Sequence, residues 1–68
     1  MKNFLKKNGF VRLQKKGPDE LELYYNERIN VFVAKMKNGE WRVGSVGSDS
    51  LNELEYWRNK IQSRLGRA

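Results

Sequence analysis

The stretch KMKNGEWRV constrains this chain more than any other. Asn38-Gly39 sits between two β-prone runs, and an Asn-Gly pair in that setting predicts a two-residue type I′ hairpin. Such a turn sets the pairing. Lys37 falls opposite Glu40, Met36 opposite Trp41, Lys35 opposite Arg42 and Ala34 opposite Val43. Phe32, Ala34, Met36, Trp41 and Val43 then share one apolar face, which a one-residue slip would dismantle.

The preceding run, ELELYYNERINVFVAK, extends the sheet. A turn at Glu27-Arg28 pairs Leu23 with Phe32 and Leu21 with Ala34, so Leu21, Leu23 and Tyr25 join the same face. The run FVRLQKKGPDELEL adds a first strand. A three-residue Lys16-Gly17-Pro18 connection pairs Leu13 with Leu21 and Val11 with Leu23, whereas a two-residue one would turn Gln14 inward. Further on, Ser50-Leu51-Asn52-Glu53 reads as a capping box. Leu51, Leu54, Trp57, Ile61 and Leu65 form a helical stripe, and Gly66 is the stop. In NFLKKNGF a short first helix ends at Gly9. The expected fold is α+β: a four-stranded antiparallel meander sheet with one C-terminal helix packed on its apolar face, and a short N-terminal helix. Residues 1–68 form a single small domain, a size at which stability is marginal and a partner subunit is a common remedy.

The second sheet face divides into two ends. One presents Arg12, Gln14, Glu20, Glu22, Lys35, Lys37, Glu40 and Arg42. The other presents Phe10, Tyr24, Ile29, Val31, Val33 and Val46, which is too apolar to stand in water without a cover. The leading expectation is that the N-terminal helix folds back and covers it with Phe4 and Leu5, since connections are short. The alternatives are a stacking platform of Phe10 and Tyr24, flanked by Arg12, Lys35 and Arg42 for a single-stranded nucleic acid, and a protein contact or homodimer through Phe10, Tyr24, Val31 and Val46.

Charge is the main functional signal. The net charge is +6, and it is concentrated. Residues 1–17 hold six cations and no anion, residues 18–40 three basic against five acidic groups, and residues 41–68 five against three. A segment of that kind favours anionic partners, nucleic acid first among them. The phosphate-contacting candidates are Lys2, Lys6, Lys7, Arg12, Lys15, Lys16, Lys35 and Arg42, with Tyr24 beside them on the sheet. A secondary basic ridge runs along the C-terminal helix through Tyr56, Lys60, Arg64 and Arg67.

Composition also excludes chemistries. Cysteine and histidine are both absent, which removes disulfides, the thiol nucleophile, the usual general base and the imidazole ligands of zinc sites. Asp19, Glu20 and Glu22 have Lys and Arg neighbours and read as ion-pair partners. GSVGSDS precedes a helix, but lacks the lysine of a phosphate loop. The expectation is a non-enzyme with no metal and no cofactor. No apolar run approaches a membrane span, and the N-terminus lacks the apolar core of a secretory signal. A cytoplasmic protein is expected, with no membrane partner.

LKKNGFVRLQKKG resembles the opening of HicA-type toxins, small mRNA-cutting proteins with a double-stranded-RNA-binding-like fold. That family continues with a catalytic histidine. Here the chain continues Pro18-Asp19-Glu20 and holds no histidine, so nuclease activity is not carried over. A strand meander followed by one helix is also similar in outline to the sheet-reading DNA-binding domains of phage integrases. Together these features point to a small basic nucleic-acid-binding accessory or regulatory protein of phage or mobile-element type. The alternative is a small protein-interaction module that inhibits or regulates a larger enzyme.

Overall fold

A computed structural model describes residues 1–45 and 51–66. Helix α1 spans Lys2–Lys7, strand β1 Val11–Arg12, β2 Glu20–Asn26, β3 Val31–Met36, β4 Trp41–Ser45 and helix α2 Leu51–Leu65. The strands form one antiparallel sheet in the order β1-β2-β3-β4, the expected meander. The short N-terminal helix and the C-terminal helix are both present.

The β3–β4 hairpin departs from expectation by one residue. The Met36 amide donates to the Glu40 carbonyl at 2.7 Å, and the Gly39 amide to the Met36 carbonyl at 2.9 Å. The loop therefore holds three residues, with Gly39 at φ 92°. A left-handed glycine closing a three-residue loop is the next most common hairpin tip after the two-residue ones. A type I′ turn would need positive φ at Asn38 as well. Among the described non-glycine residues, positive φ occurs at Asn30. Lys35 consequently pairs with Trp41 and Val33 with Val43. Trp41 and Val43 are turned onto the face of Val31 and Val33, away from Ala34 and Met36.

The other two pairings shift by two residues, which preserves the faces. Leu23 pairs with Ala34 and Tyr25 with Phe32 across a loop of residues 27–30. Asn30 takes φ 55° there, and its Oδ1 accepts from the Tyr25 hydroxyl at 2.6 Å. Val11 pairs with Tyr25 and Arg12 with Tyr24. β1 is only two residues long, and the chain beyond it crosses to β2 as a loop. A bulge interrupts β2 between Glu20 and Glu22, so Glu20 pairs with Met36 and leaves the face of Glu22 and Lys35, where the sequence pattern places it.

The core follows from that single slip. Leu5, Phe10, Tyr24, Val31, Val33, Trp57 and Ile61 form one buried cluster, with Met1, Phe4, Ile29, Trp41 and Val43 packed against it. Both helices thus lie on the Tyr24–Val31–Val33 face. This corrects the expectation that α2 covers Leu21, Leu23, Tyr25, Phe32, Ala34 and Met36. Trp41 and Val43 enlarge the other face, and α1 and α2 close over the enlarged one. Among the described residues, no helix lies on the side of Leu23, Phe32 and Met36.

α1 is too short to persist alone. It survives through its C-terminal turn and its buried side chain. The Phe10 amide donates to the Leu5 carbonyl at 2.9 Å and the Gly9 amide to the Lys6 carbonyl at 3.2 Å. Gly9 adopts φ 90°. This is a Schellman turn, and its usual apolar contact is made by Leu5 and Phe10. Burying Leu5 completely contributes about 1.5–3 kcal/mol. Asn26, 2% exposed, ties this turn to the β2–β3 loop. Its Nδ2 donates to the Asn8 carbonyl at 3.1 Å, and its Oδ1 accepts from the Arg28 amide at 3.1 Å.

α2 turns Trp57 and Ile61 inward and leaves Leu65 40% exposed. Glu53 stands in its first turn and Arg64 in its last, complementing the helix dipole. The Gly66 amide closes the final turn on the Gln62 carbonyl at 2.7 Å. The expected cap Ser50, along with Val46, Arg67 and the side chain of Leu51, lies outside the described residues. No described helix is long and apolar enough to cross a membrane.

Candidate nucleic-acid interface

The predicted cations fall into three groups. Lys2, Lys6 and Lys7 stand exposed on α1, while Leu5 anchors the helix from its other side. Lys2 and Lys6, four residues apart, project from the same flank. Lys15 and Lys16 are exposed on the β1–β2 loop. Arg12 and Lys35 lie on the helix-covered face of the sheet, toward its margin, since they pair with Tyr24 and Trp41 respectively. Among the described residues, none of these seven has a carboxylate within ion-pair distance.

Glu22 sits in the middle of the third group. Lys35 pairs across from it in the sheet, and the Tyr24 hydroxyl donates to its Oε1 at 2.6 Å. That hydrogen bond, followed by the charges of Arg12, Lys35 and Lys2, holds the Glu22 carboxyl below its ordinary value. Burial, reinforced by the Glu22 hydrogen bond and charge, pushes the Tyr24 phenol up to about 12. Cations from α1, β1 and β3 thus surround one carboxylate without any of them closing to ion-pair distance, leaving a local cationic excess.

Three expectations are corrected. Tyr24 and Phe10 are 0% and 2% exposed, so neither can stack a base. Val31 is also 0% exposed, which removes the expected protein-contact patch; its fourth member, Val46, is not described. The short helix covers this patch, as expected, with Leu5 and Phe4, and α2 adds Trp57. The ring of Trp57 meets Phe10 edge-on at 5.2 Å and Phe4 at 6.0 Å. Arg42 does not join Lys35. It pairs with Ala34 on the opposite face and is held by Glu40 at 3.1 Å.

The sequence pattern places Trp41 in the core, and the structure sets it at the margin of the core cluster. It is half-buried, its ring stacked with Tyr24 at 6.5 Å and approached by the Lys35 Nζ at 5.9 Å. The signal that locates Trp41 is the length of the Asn38-Gly39 loop: three residues set Trp41 opposite Lys35.

The ridge on α2 is present as far as it is described. Tyr56 is 52% exposed, with the Lys60 Nζ 5.6 Å from its ring. Arg64 does more than face solvent. Its guanidinium lies 4.3 Å from the Phe4 ring centroid, so it clasps α2 to α1 and brings the ridge toward the lysines of α1. Among the described residues, no His, Cys, Asp or Glu cluster could hold a metal ion. Comparison with protein-family models, curated proteins and solved structures finds no match to this chain.

Proposed function

We propose that this chain is a small, non-enzymatic nucleic-acid-binding protein with an accessory or regulatory role, gripping phosphates through its helix-bearing side. One observation carries this reading. Lys2, Lys6, Lys7, Arg12, Lys15 and Lys16 are exposed and free of ion pairs among the described residues, and half of them are displayed on a helix docked into the core. Docking matters because cations on a fixed scaffold lose less freedom on binding than cations on a loose arm. Lys35, Lys60 and Arg64 extend the surface. Contacts of this type position a protein on phosphates and do not read bases, so affinity is salt-sensitive and specificity modest.

Titration against labelled duplex DNA, single-stranded DNA and RNA at several salt concentrations tests this. Binding with a log–log salt slope of about −4 to −6 is expected, at about −0.9 per duplex phosphate contact. Replacing Lys6, Lys7, Lys15 and Lys16 with Gln should flatten the slope by about three to four and leave the fold unchanged. Unaltered binding by that variant, or no binding of the native chain at about 50 mM salt, rejects the proposal.

A further inference from the structure

The side of the sheet away from both helices is as apolar as a core. Val11 is 65% exposed. Leu23, Tyr25, Phe32 and Met36 are half-buried, and among the described residues no helix covers them. Tyr25 and Phe32 stack across β2 and β3 at 4.4 Å, beside the β2–β3 loop. Two shallow grooves of about 430 Å³ each cross it. A contiguous apolar surface on so small a chain marks an interaction site rather than chance exposure.

The charges at its rim distinguish among occupants. Glu20 and Arg42 flank one groove, and Glu27 and Arg28 close the other. Each groove carries one acid and one base, and Arg42 is already held by Glu40 at 3.1 Å, so neither rim has a cationic excess. A nucleic acid gains nothing from a neutral rim when a cationic surface lies on the opposite side. A second copy meets a rim of both signs, and because a twofold contact is self-complementary, an Arg28–acid contact made once is made twice. From strand spacing and rise, the sheet with its loops offers roughly 500 Å² per copy. Two copies then bury about 1,000 Å², the lower bound for a specific interface.

We infer that two copies of this chain associate through this open face, packing sheet against sheet with the helices outward. The association is weak and concentration-dependent, and it is independent of the proposed nucleic-acid contact, which uses the other face. The native chain should be followed by sedimentation velocity from about 1 to about 300 μM, a range that brackets micromolar affinity. The expected mass rises from 8.1 kDa toward twice that, and the melting temperature rises with concentration, because only the folded chain associates. Leu23→Lys, at the centre of the face, should remain monomeric throughout. Val11→Lys, at an exposed position that cannot disturb the core, gives the same result if the first variant loses its circular dichroism. Monomer at every concentration overturns the inference. So does undiminished association in the folded variants. A folded variant that loses nucleic-acid affinity at concentrations where both proteins are monomeric would assign the face to nucleic acid instead.

Discussion

The two faces of the sheet are alike in composition and opposite in fate. One is lined by Phe10, Tyr24, Val31 and Val33, all at most 2% exposed. The other carries Leu23, Tyr25, Phe32 and Met36, none of them buried. Apolar content alone does not decide which face a helix covers. Two backbone turns decide it here. The left-handed Gly39 rotates Trp41 and Val43 to the first face, and the left-handed Gly9 folds α1 back over it. The same choice divides the charge, leaving the free cations of α1 with the covered face and a balanced rim around the open one.

Truncations should separate the faces most sharply. Ile61→Ala, at a fully buried position, is expected to cost about 2–5 kcal/mol. Val11→Ala on the open face should stay within about 0.5 kcal/mol in dilute monomer. Urea denaturation measures both, and equal costs would mean that the open face is a core in its own right. The two glycines come next. An alanine Cβ at Gly9 would lie 3.2 Å from the Asn26 Nδ2, whereas at Gly39 it meets nothing within 4 Å. Gly39→Ala should cost about 1 kcal/mol from backbone strain alone. Gly9→Ala should cost more, since it also presses on the Asn26 link between α1 and the sheet.

The smallest expected effect is in pH. Glu22 is held below its ordinary value of 4.5. Its contribution is present above that value and is lost as pH falls through the lower, folded value. Tyr24 is raised from 10.0 to about 12. Its contribution is present below 10.0 and lost as pH rises toward 12. Tyr24→Phe removes the bond they share. Thermal melts across pH should show both limbs shallower in that variant, and parallel curves would show the pair to be energetically idle.

Much of the fold was legible because its signals are local. The alternation in β2 and β3, the stripe of Trp57 and Ile61, and the Gly9 and Gly66 stops each lie within a few residues. Errors of two residues at the β1–β2 and β2–β3 connections were harmless, since period two restores the faces. The Asn38-Gly39 tip was different. Both candidate hairpins want Gly at that point, and they are told apart by how well the resulting faces pack, which is a tertiary matter. That one ambiguity brought Trp41 and Val43 to the face of Tyr24, Val31 and Val33, where both helices lie, and left Leu23, Phe32 and Met36 without a helix over them. The lysines of the candidate site were legible by count, because solvent exposure asks nothing of register.

Surface loops are ordinarily the cheapest places to gain or lose a residue. The tip at residues 37–39 is an exception. Deleting one residue there would send Trp41 and Val43 out from under α2, while inserting two would return them to the same side. Length variation at this tip is therefore restricted to even steps, although the loop itself touches no part of the core.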